Sequence, residues 1–302
     1  MIKLPSGIDI NNLIDDLRRF SWEAAEILLF YSKILRDSDF KSNILENGNI
    51  EDPVTLADLK VNEIIIKRIN EKYKDIDWDI LSEENVKGAS KKSSYNTDWI
   101  WVLDPLDGTK DFIQGTSNYA MHLALSYKRK PFLGIVLIPE KEELWISNGA
   151  NVWCENRNGS IVNPVTYKSK CLNEMNLVTS KNHRNETLKN LIKKINFNEV
   201  IIMGSIGCKI ASIVRGESDI YICLSIPGKS SPKDWDFAAP AAILKGAGGA
   251  ITNLDNQELL YFKPSFEQGG IIVASNNHSA HHKICFEIKQ IIKKYNLYPL
   301  TT

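Results

Sequence analysis

The sequence predicts a layered α/β fold, and three patterns support this class. A long amphipathic helix is predicted from about Ile8 to Arg36, because apolar residues recur there at helical spacing. Several strands separated by turn signals are predicted between Tyr119 and Trp153. In the second half, strand-like and helix-like segments alternate, which is typical of layered α/β proteins.

In the first half, the remaining elements follow in a clear order. A second helix is predicted from Thr55, a suitable N-cap, to about Tyr73. Asp79–Glu84 is predicted to be a short strand that ends in acidic residues, and the polar stretch Lys87–Asn96 an exposed loop. Trp99–Leu103 is predicted to be a buried strand that leads directly into Asp104.

In the second half, each predicted strand is followed by a predicted helix. The pairs, strand first, are Leu177–Thr179 with Arg184–Ile195, Val200–Met203 with Ile206–Arg215, Ile220–Cys223 with Trp235–Lys245, and Ile271–Val273 with Ala280–Tyr295. The change of pattern predicts two parts. Residues 1–165 would form an α+β half with most acidic candidates, and residues 166–302 an α/β half.

The charge balance and hydropathy argue against several classes of partner. Lys plus Arg and Asp plus Glu both number 37, so the net charge attracts neither nucleic acid nor an anionic membrane. We find no basic tract with interleaved aromatic residues, which further argues against nucleic-acid binding. The apolar runs are strand-sized, too short to span a membrane.

The N-terminus and the cysteines indicate a cytoplasmic protein. Met1–Gly7 does not have the pattern of a signal peptide. The five cysteines form no Cys-x-x-Cys pair and are odd in number, so we expect reduced thiols and no zinc site.

An acidic motif follows the buried strand. In Asp104-Pro-Leu-Asp-Gly-Thr109, two carboxylates stand three residues apart, at the end of a strand where layered α/β folds bind ligands. The turn can aim Asp104, Asp107 and the Leu106 carbonyl towards one point. Oxygen ligands without nearby His or Cys favour magnesium, calcium or manganese. Alone, however, Asp-Pro and Asp-Gly are also common turn formers.

Three further acidic groups strengthen the metal-site interpretation. Glu83 and Glu84 end an apolar strand, Asp236 begins a predicted helix, and Asp58 lies near the start of the second helix. Acids at four such junctions are difficult to explain as solvated turns. Helix capping remains an alternative role for Asp236, and Asp58 could also be an exposed acid.

These segments together resemble a known family. P-V-T-x-A-D at 53–58, S-E-E at 82–84, W-V-L-D-P-L-D-G-T-K at 101–110 and W-D-x-A-A at 235–239 are similar to the signature of the inositol monophosphatase superfamily. The resemblance implies an α-β-α-β-α sandwich of the inositol monophosphatase and fructose-1,6-bisphosphatase type. It also implies a lithium-sensitive, magnesium-dependent phosphatase.

The resemblance assigns roles to the acidic residues. It implies two or three Mg²⁺ ions: the first held by Glu83, Asp104 and the Leu106 carbonyl, the second by Asp104, Asp107 and Asp236. A third, weaker ion would use Glu83. Paired ions can activate the attacking water and stabilise the leaving oxygen. Asp58 and Thr109 would form the catalytic pair that removes the proton, although Thr109 could instead cap a helix, and Glu84 would orient its neighbours.

Other residues resemble the branch that removes the 3′-phosphate of adenosine 3′,5′-bisphosphate. Lys110, the segments Val178–His183 and Gly204–Lys209, and the stretch Pro227–Pro240 are similar to that branch, but Ser205 and Cys208 depart from it. The substrate contacts implied are Gly108, Thr109, Ser180, His183, Ser205, Lys209 and Asp236. By themselves, His183 could be a surface-loop residue and Lys209 a solvated helix charge.

Two alternatives stay open at this point. One is a phosphatase for inositol phosphate or a related sugar phosphate on the same fold. The other is a non-catalytic partner-binding protein, which the complete set of acidic residues disfavours. The expected partner is a small phosphorylated nucleotide, and the protein is expected to be a monomer or a homodimer.

Overall fold

A computed structural model describes residues 3–36, 56–88, 95–165, 169–180, 186–225 and 231–298. Its α-helices are α1 (Ile10–Arg36), α2 (Leu56–Lys72), α3 (Glu83–Gly88), α4 (Thr109–Ile113), α5 (Glu186–Ile195), α6 (Ile206–Val214), α7 (Asp234–Gly246) and α8 (His278–Tyr295). Its strands are β1 (Asp79–Ser82), β2 (Trp99–Asp107), β3 (Ala120–Tyr127), β4 (Lys130–Ile138), β5 (Glu143–Ser147), β6 (Val152–Glu155), β7 (Ile161–Val162), β8 (Asn176–Ser180), β9 (Glu199–Met203), β10 (Ile220–Ser225), β11 (Ala250–Asn253) and β12 (Gly270–Ser275).

Two sheets carry the architecture. A seven-stranded sheet has the order β1-β2-β3-β4-β5-β6-β7, and a five-stranded sheet has the order β11-β12-β10-β8-β9. In the first sheet β1 and β2 run parallel, whereas β2 to β7 form an antiparallel succession. In the second sheet β8 lies parallel to both β9 and β10, and β12 is antiparallel to β10 and β11.

Three apolar cores bind helices to the faces of these sheets. Helices α1 and α2 pack on one face of the first sheet. Helices α6 and α7 fill the space between the two sheets. Helices α5 and α8 cover the outer face of the second sheet. The resulting order of layers is α-β-α-β-α, which confirms the predicted sandwich.

Strand β2 shows how the sequence forms two cores at once. Successive side chains of a strand point to opposite faces. Trp101 and Leu103 therefore lie in the core under α1 and α2, while Ile100 and Val102 lie in the core between the sheets. Because both faces are covered, the part of the strand from Trp99 to Leu103 is apolar throughout.

The structure corrects several element boundaries. Strand β1 ends at Ser82, so Glu83 and Glu84 begin helix α3 rather than end a strand. Acidic residues are favourable there, because the amide groups of a helix N-terminus carry partial positive charge. Strand β2 continues through Pro105 to Asp107, and the short strands β7 and β11 were not predicted. The predicted N-cap Thr55 lies outside the described residues.

The division at residue 165 stays a prediction. The first sheet does come from residues before this point and the second from residues after it. However, α7 packs against β4, and the core between the sheets joins both parts. Within the described part of the chain, no helix is both long and apolar enough to cross a membrane.

Candidate active site

The parallel pairing of β1 and β2 brings two acidic residues to one edge of the first sheet. In this register Ser82 stands opposite Leu103. The residues that follow are Glu83, which begins α3, and Asp104, which continues β2, so both lie at the same level of the sheet. The side chain of Asp104 is buried, and that of Glu83 is 20% exposed.

Asp104 and Asp107 are brought together by an irregularity in β2. The pairing of β2 with β3 shifts between these two residues, which marks a β-bulge. Within it, the backbone amide of Leu106 donates to Asp104 Oδ1 at 3.1 Å, and the Thr109 hydroxyl donates to the Leu106 carbonyl at 3.0 Å. The bulge thus holds the two carboxylates close together, and it stays a prediction that the Leu106 carbonyl faces the same point.

Asp236 reaches the same place from the first turn of α7. One oxygen each of Asp104, Asp107 and Asp236 lies within 4.8 Å of the other two. The backbone amide of Lys233 donates to Asp236 Oδ2 at 2.5 Å. Asp236 therefore combines the two predicted roles: it caps α7 and belongs to the acidic cluster.

Electrostatic repulsion within this cluster is strong. Burial, followed by the negative charges of Glu83 and Asp107, raises the pKa of Asp104 well above its usual range. Burial and the charges of Asp107 and Glu83 do the same to the pKa of Asp236. The pKa of Glu83 is also raised by burial, against the opposing effect of Lys87. Buried carboxylates this close need a cation to stay ionised together.

The donors fit a hard divalent cation. The cluster offers carboxylate oxygens from Asp104, Asp107 and Asp236, with Glu83 and the Leu106 carbonyl beside them. Oxygen-only ligand sets suit magnesium, manganese or calcium rather than zinc. An ion held here would offset the repulsion that raises the pKa of Asp104 and Asp236.

Asp107 is oriented by the N-terminus of α6. Its Oδ2 accepts a hydrogen bond from the Ser205 hydroxyl at 2.7 Å, and further ones from the backbone amides of Ile206 and Gly207. Amides at a helix N-terminus stabilise a carboxylate by hydrogen bonds and by the helix dipole. With Oδ2 held this way, Oδ1 is the oxygen left to face a ligand.

The predicted catalytic pair lies near the cluster. Asp58 is buried in the first turn of α2, so the alternative of an exposed acid is wrong. Its negative charge helps to raise the pKa of Asp104, after burial and the charges of the other acids. Thr109 begins α4, and its hydroxyl contacts the Leu106 carbonyl. Proton transfer between Thr109 and Asp58 stays a prediction.

Glu84 and Lys87 flank the cluster on α3. Glu84 is buried, whereas Glu83 is partly exposed. The Lys87 ammonium lies 3.0 Å from Glu83 and 3.1 Å from Glu84. Through this shared cation, Glu84 can orient Glu83, consistent with its predicted supporting role.

The predicted substrate residues are only partly accessible. Ser180 lies buried at the end of β8, and Gly108 adopts a left-handed conformation at the start of α4. Ser205 is buried, and its hydroxyl, engaged by Asp107, also accepts from the Cys208 amide at 3.1 Å. Its role here is to hold Asp107, and a direct contact with phosphate stays a prediction.

Lys209 is buried, whereas a side chain that binds phosphate at the protein surface would be at least partly exposed. It is fully buried, so the alternative of a solvated charge is wrong, and its ammonium donates to the Gly204 carbonyl at 2.6 Å. Burial lowers its pKa. The ammonium also lies 5.3 Å from the centre of the Tyr221 ring. His183 lies outside the described residues.

His122, which no sequence motif singles out, touches the cluster. The residue is fully buried on β3 and pairs with Asp104 across the sheet. Its Nε2 lies 3.3 Å from Asp107 Oδ2. A histidine between Met121 and Leu123 in an apolar strand is a visible signal, but the pairing of β2 with β3 is needed to interpret it.

The fold and the acidic site together define a phosphatase of the layered α-β-α-β-α class. The chain belongs to the inositol monophosphatase family, whose model matches residues 14–293. This family is metal-dependent, in agreement with the acidic cluster.

The chain is also similar to individual relatives and solved structures. The chain is 31% identical to the 3′(2′),5′-bisphosphate nucleotidase CysQ of Buchnera aphidicola, over 69% of this chain and 74% of the relative. It is 25% identical to 3′(2′),5′-bisphosphate nucleotidase 1 of Dictyostelium discoideum, over 82% of this chain and 90% of the relative. Among solved structures, the extragenic suppressor protein suhB from Bartonella henselae has a TM-score of 0.71 at 18% identity, covering 94% of this chain and 99% of that one.

Proposed function

We propose that this chain is a magnesium-dependent phosphomonoesterase that hydrolyses the 3′-phosphate of adenosine 3′,5′-bisphosphate to give AMP and phosphate. The observation that carries the proposal is the convergence of Asp104, Asp107 and Asp236 on one point. The likeness to relatives named 3′(2′),5′-bisphosphate nucleotidases supports the substrate.

In the proposed mechanism, the acidic residues hold Mg²⁺ against the phosphate. Glu83, Asp104 and the Leu106 carbonyl would bind one ion, and Asp104, Asp107 and Asp236 a second, with Glu83 also available to a third. When bound, the ions supply an activated water and neutralise charge on the phosphoryl oxygens. The hydrogen bonds from Ser205 and from the first turn of α6 fix the orientation of Asp107 for this task.

The chain itself would handle the proton. In the proposed step, Thr109 Oγ1 accepts a proton from the attacking water and passes its own to the Asp58 carboxylate. The Thr109 hydroxyl donates to the Leu106 carbonyl in the present conformation, so it must rotate to face Asp58. Asp58 is buried, which limits competition from solvent.

The nucleotide would be positioned mainly by residues of the second half of the chain, with Gly108 from the first half. Ser180 and Ser205, with Gly108 and His183, are the proposed contacts, and Lys209 would attract the retained phosphate. Lys209 donates to the Gly204 carbonyl, so binding a phosphate requires that it exchange or share this hydrogen bond. We further propose a cytoplasmic protein, supported by five free thiols, acting as a monomer or a homodimer.

A substrate panel tests the proposal. Phosphate release is measured with magnesium from adenosine 3′,5′-bisphosphate, inositol 1-phosphate and fructose 1,6-bisphosphate, each with and without lithium. We expect the highest kcat/KM for the nucleotide, and inhibition by lithium. Equal rates on all three, or a preference for the inositol or sugar phosphate, would rule out the nucleotide assignment while keeping the phosphatase.

A further inference from the structure

His122 occupies a position between the elements that form the metal site. Its side chain is fully buried. Nε2 lies 3.3 Å from Asp107 Oδ2, and Nδ1 lies 3.4 Å from the Trp235 carbonyl and 4.0 Å from Asp104 Oδ2. Within the described residues, Nε2 makes no hydrogen bond of normal geometry. One ring thus contacts two acidic residues and the backbone next to the third.

The chain is shaped around this ring. A Cβ atom added to Gly207 would lie 2.2 Å from His122 Nε2, so only glycine allows α6 to approach the ring this closely. Gly207 also donates its amide to Asp107 Oδ2 at 3.2 Å. The ring therefore lies where β2, β3 and the first turns of α6 and α7 meet.

The groups around the His122 ring limit the hydrogen bonds that it can make. The Trp235 carbonyl and the Asp107 carboxylate only accept hydrogen bonds, and a neutral imidazole has one N–H, so the ring can donate to only one of them at a time. An ionised carboxylate is the stronger acceptor of the two. Burying a polar ring costs free energy that a leucine of similar volume would avoid. If His122 only filled space in the core, its contact with a carboxylate would not be needed to offset this cost. Its nearest neighbour of complementary chemistry is Asp107.

We propose that His122 is a positioning residue that carries its one N–H on Nε2, 3.3 Å from Asp107 Oδ2. There it keeps Oδ1 of Asp107 turned towards Asp104 and Asp236, and thereby raises the affinity for the divalent ion. This inference rests on the proposed function, in which these acidic residues bind metal. It adds a fourth group to the Ser205 hydroxyl and the two α6 amides that orient the same oxygen.

Two amide substitutions separate the contacts of the ring. The amide nitrogen of Asn reaches roughly the Nδ1 position, whereas that of Gln reaches roughly the Nε2 position. His122→Asn therefore keeps the contact with Trp235 and loses that with Asp107, and His122→Gln does the reverse. His122→Leu removes both. Ser126→Ala is the matched control, because Ser126 lies on the same strand, is buried and makes no hydrogen bond among the described residues.

The readout is Mn²⁺ binding, measured by electron paramagnetic resonance on each variant without substrate, together with its melting temperature. We expect affinity for Mn²⁺ to fall by about tenfold or more in His122→Asn and His122→Leu, as is typical for groups that orient metal ligands. His122→Gln and Ser126→Ala should bind Mn²⁺ nearly as the wild type does.

Three results would overturn the inference. The first is wild-type affinity for Mn²⁺ in His122→Asn, and the second is an equal loss of Mn²⁺ affinity in the Asn and Gln variants. The third is unfolding of both amide variants, which would show that the ring serves only to stabilise the fold. If the wild type itself binds no Mn²⁺, the proposed function fails as well. If the wild type binds Mn²⁺ and the Asn variant binds it equally, only the role of His122 fails.

Discussion

Gly108 should be replaceable only at a measurable cost, because two separate constraints act on it. Its φ of +88° lies in the left-handed region, where a side chain costs roughly 1–2 kcal/mol. A Cβ atom would also lie 2.8 Å from the Asn118 carbonyl oxygen and 3.2 Å from Ser205. Such crowding typically adds about 1–3 kcal/mol. Gly108→Ala should therefore destabilise the protein by roughly 2–5 kcal/mol.

Gly248 separates the two constraints. Its φ is +85°, but no atom outside its immediate chain neighbours lies within 4 Å of an added Cβ. Gly248→Ala should thus show the conformational cost alone, about 1–2 kcal/mol. At about 2–4 °C per kcal/mol, thermal denaturation should place Gly108→Ala clearly below Gly248→Ala.

The site provides a second readout for the same pair. Gly108 lies between Asp107 and Thr109, so the backbone shift needed to relieve the crowding displaces both. We expect kcat for phosphate release to fall in Gly108→Ala and to be unchanged in Gly248→Ala. Equal melting temperatures and equal turnover in the two variants would refute the reasoning.

Two further predictions concern Ser205 and His281. Ser205→Ala removes a hydrogen bond to Asp107 and the cap on the Cys208 amide, so it should cost about 1–2 kcal/mol by thermal denaturation and weaken activation by magnesium. Burial lowers the pKa of His281 to about 4, so its neutral form stabilises the fold fully above pH ~6.5 and this stability is lost as pH falls towards 4. The loss should reach roughly 2 kcal/mol at pH 5, measured by urea unfolding.

Each of these predictions has a result that contradicts it. Unchanged magnesium dependence in Ser205→Ala would show that the Ser205 hydroxyl is not needed to orient Asp107, since the backbone bonds from Ile206 and Gly207 remain. For His281, which contacts Ser275 and Thr252, the comparison is His281→Asn. The stability of that variant should fall less steeply than that of the wild type between pH 7 and pH 5. Parallel pH profiles would show that another group causes the loss.

The layers of the fold were predictable because they follow from local periodicity. The continuous apolar run Trp99–Leu103 and the helical spacing in Ile8–Arg36 depend only on neighbouring positions. The acidic residues were also found, because Asp104 and Asp107 directly follow a buried strand. The end of β1 was placed too late, since Glu83 and Glu84 are equally compatible with a strand end or a helix start.

Contacts distant in the sequence were not predictable. The bond between Ser205 and Asp107 joins residues 98 positions apart, and His122 meets Trp235 across 113 positions. No local pattern encodes such pairings. For the same reason, the sequence did not reveal that Lys209 is buried against the Gly204 carbonyl, since this depends on how α6 fits between the sheets.

The central claim is that the acidic cluster binds the metal on which phosphate release depends, and Asp104→Asn tests it most directly. The substitution removes the charge shared by both proposed ions. Asp98→Asn, at an exposed acid just before β2, is the control. With adenosine 3′,5′-bisphosphate and saturating magnesium, we predict that kcat of Asp104→Asn falls by about 10³-fold or more, and that of Asp98→Asn does not. Wild-type turnover in Asp104→Asn would contradict the account.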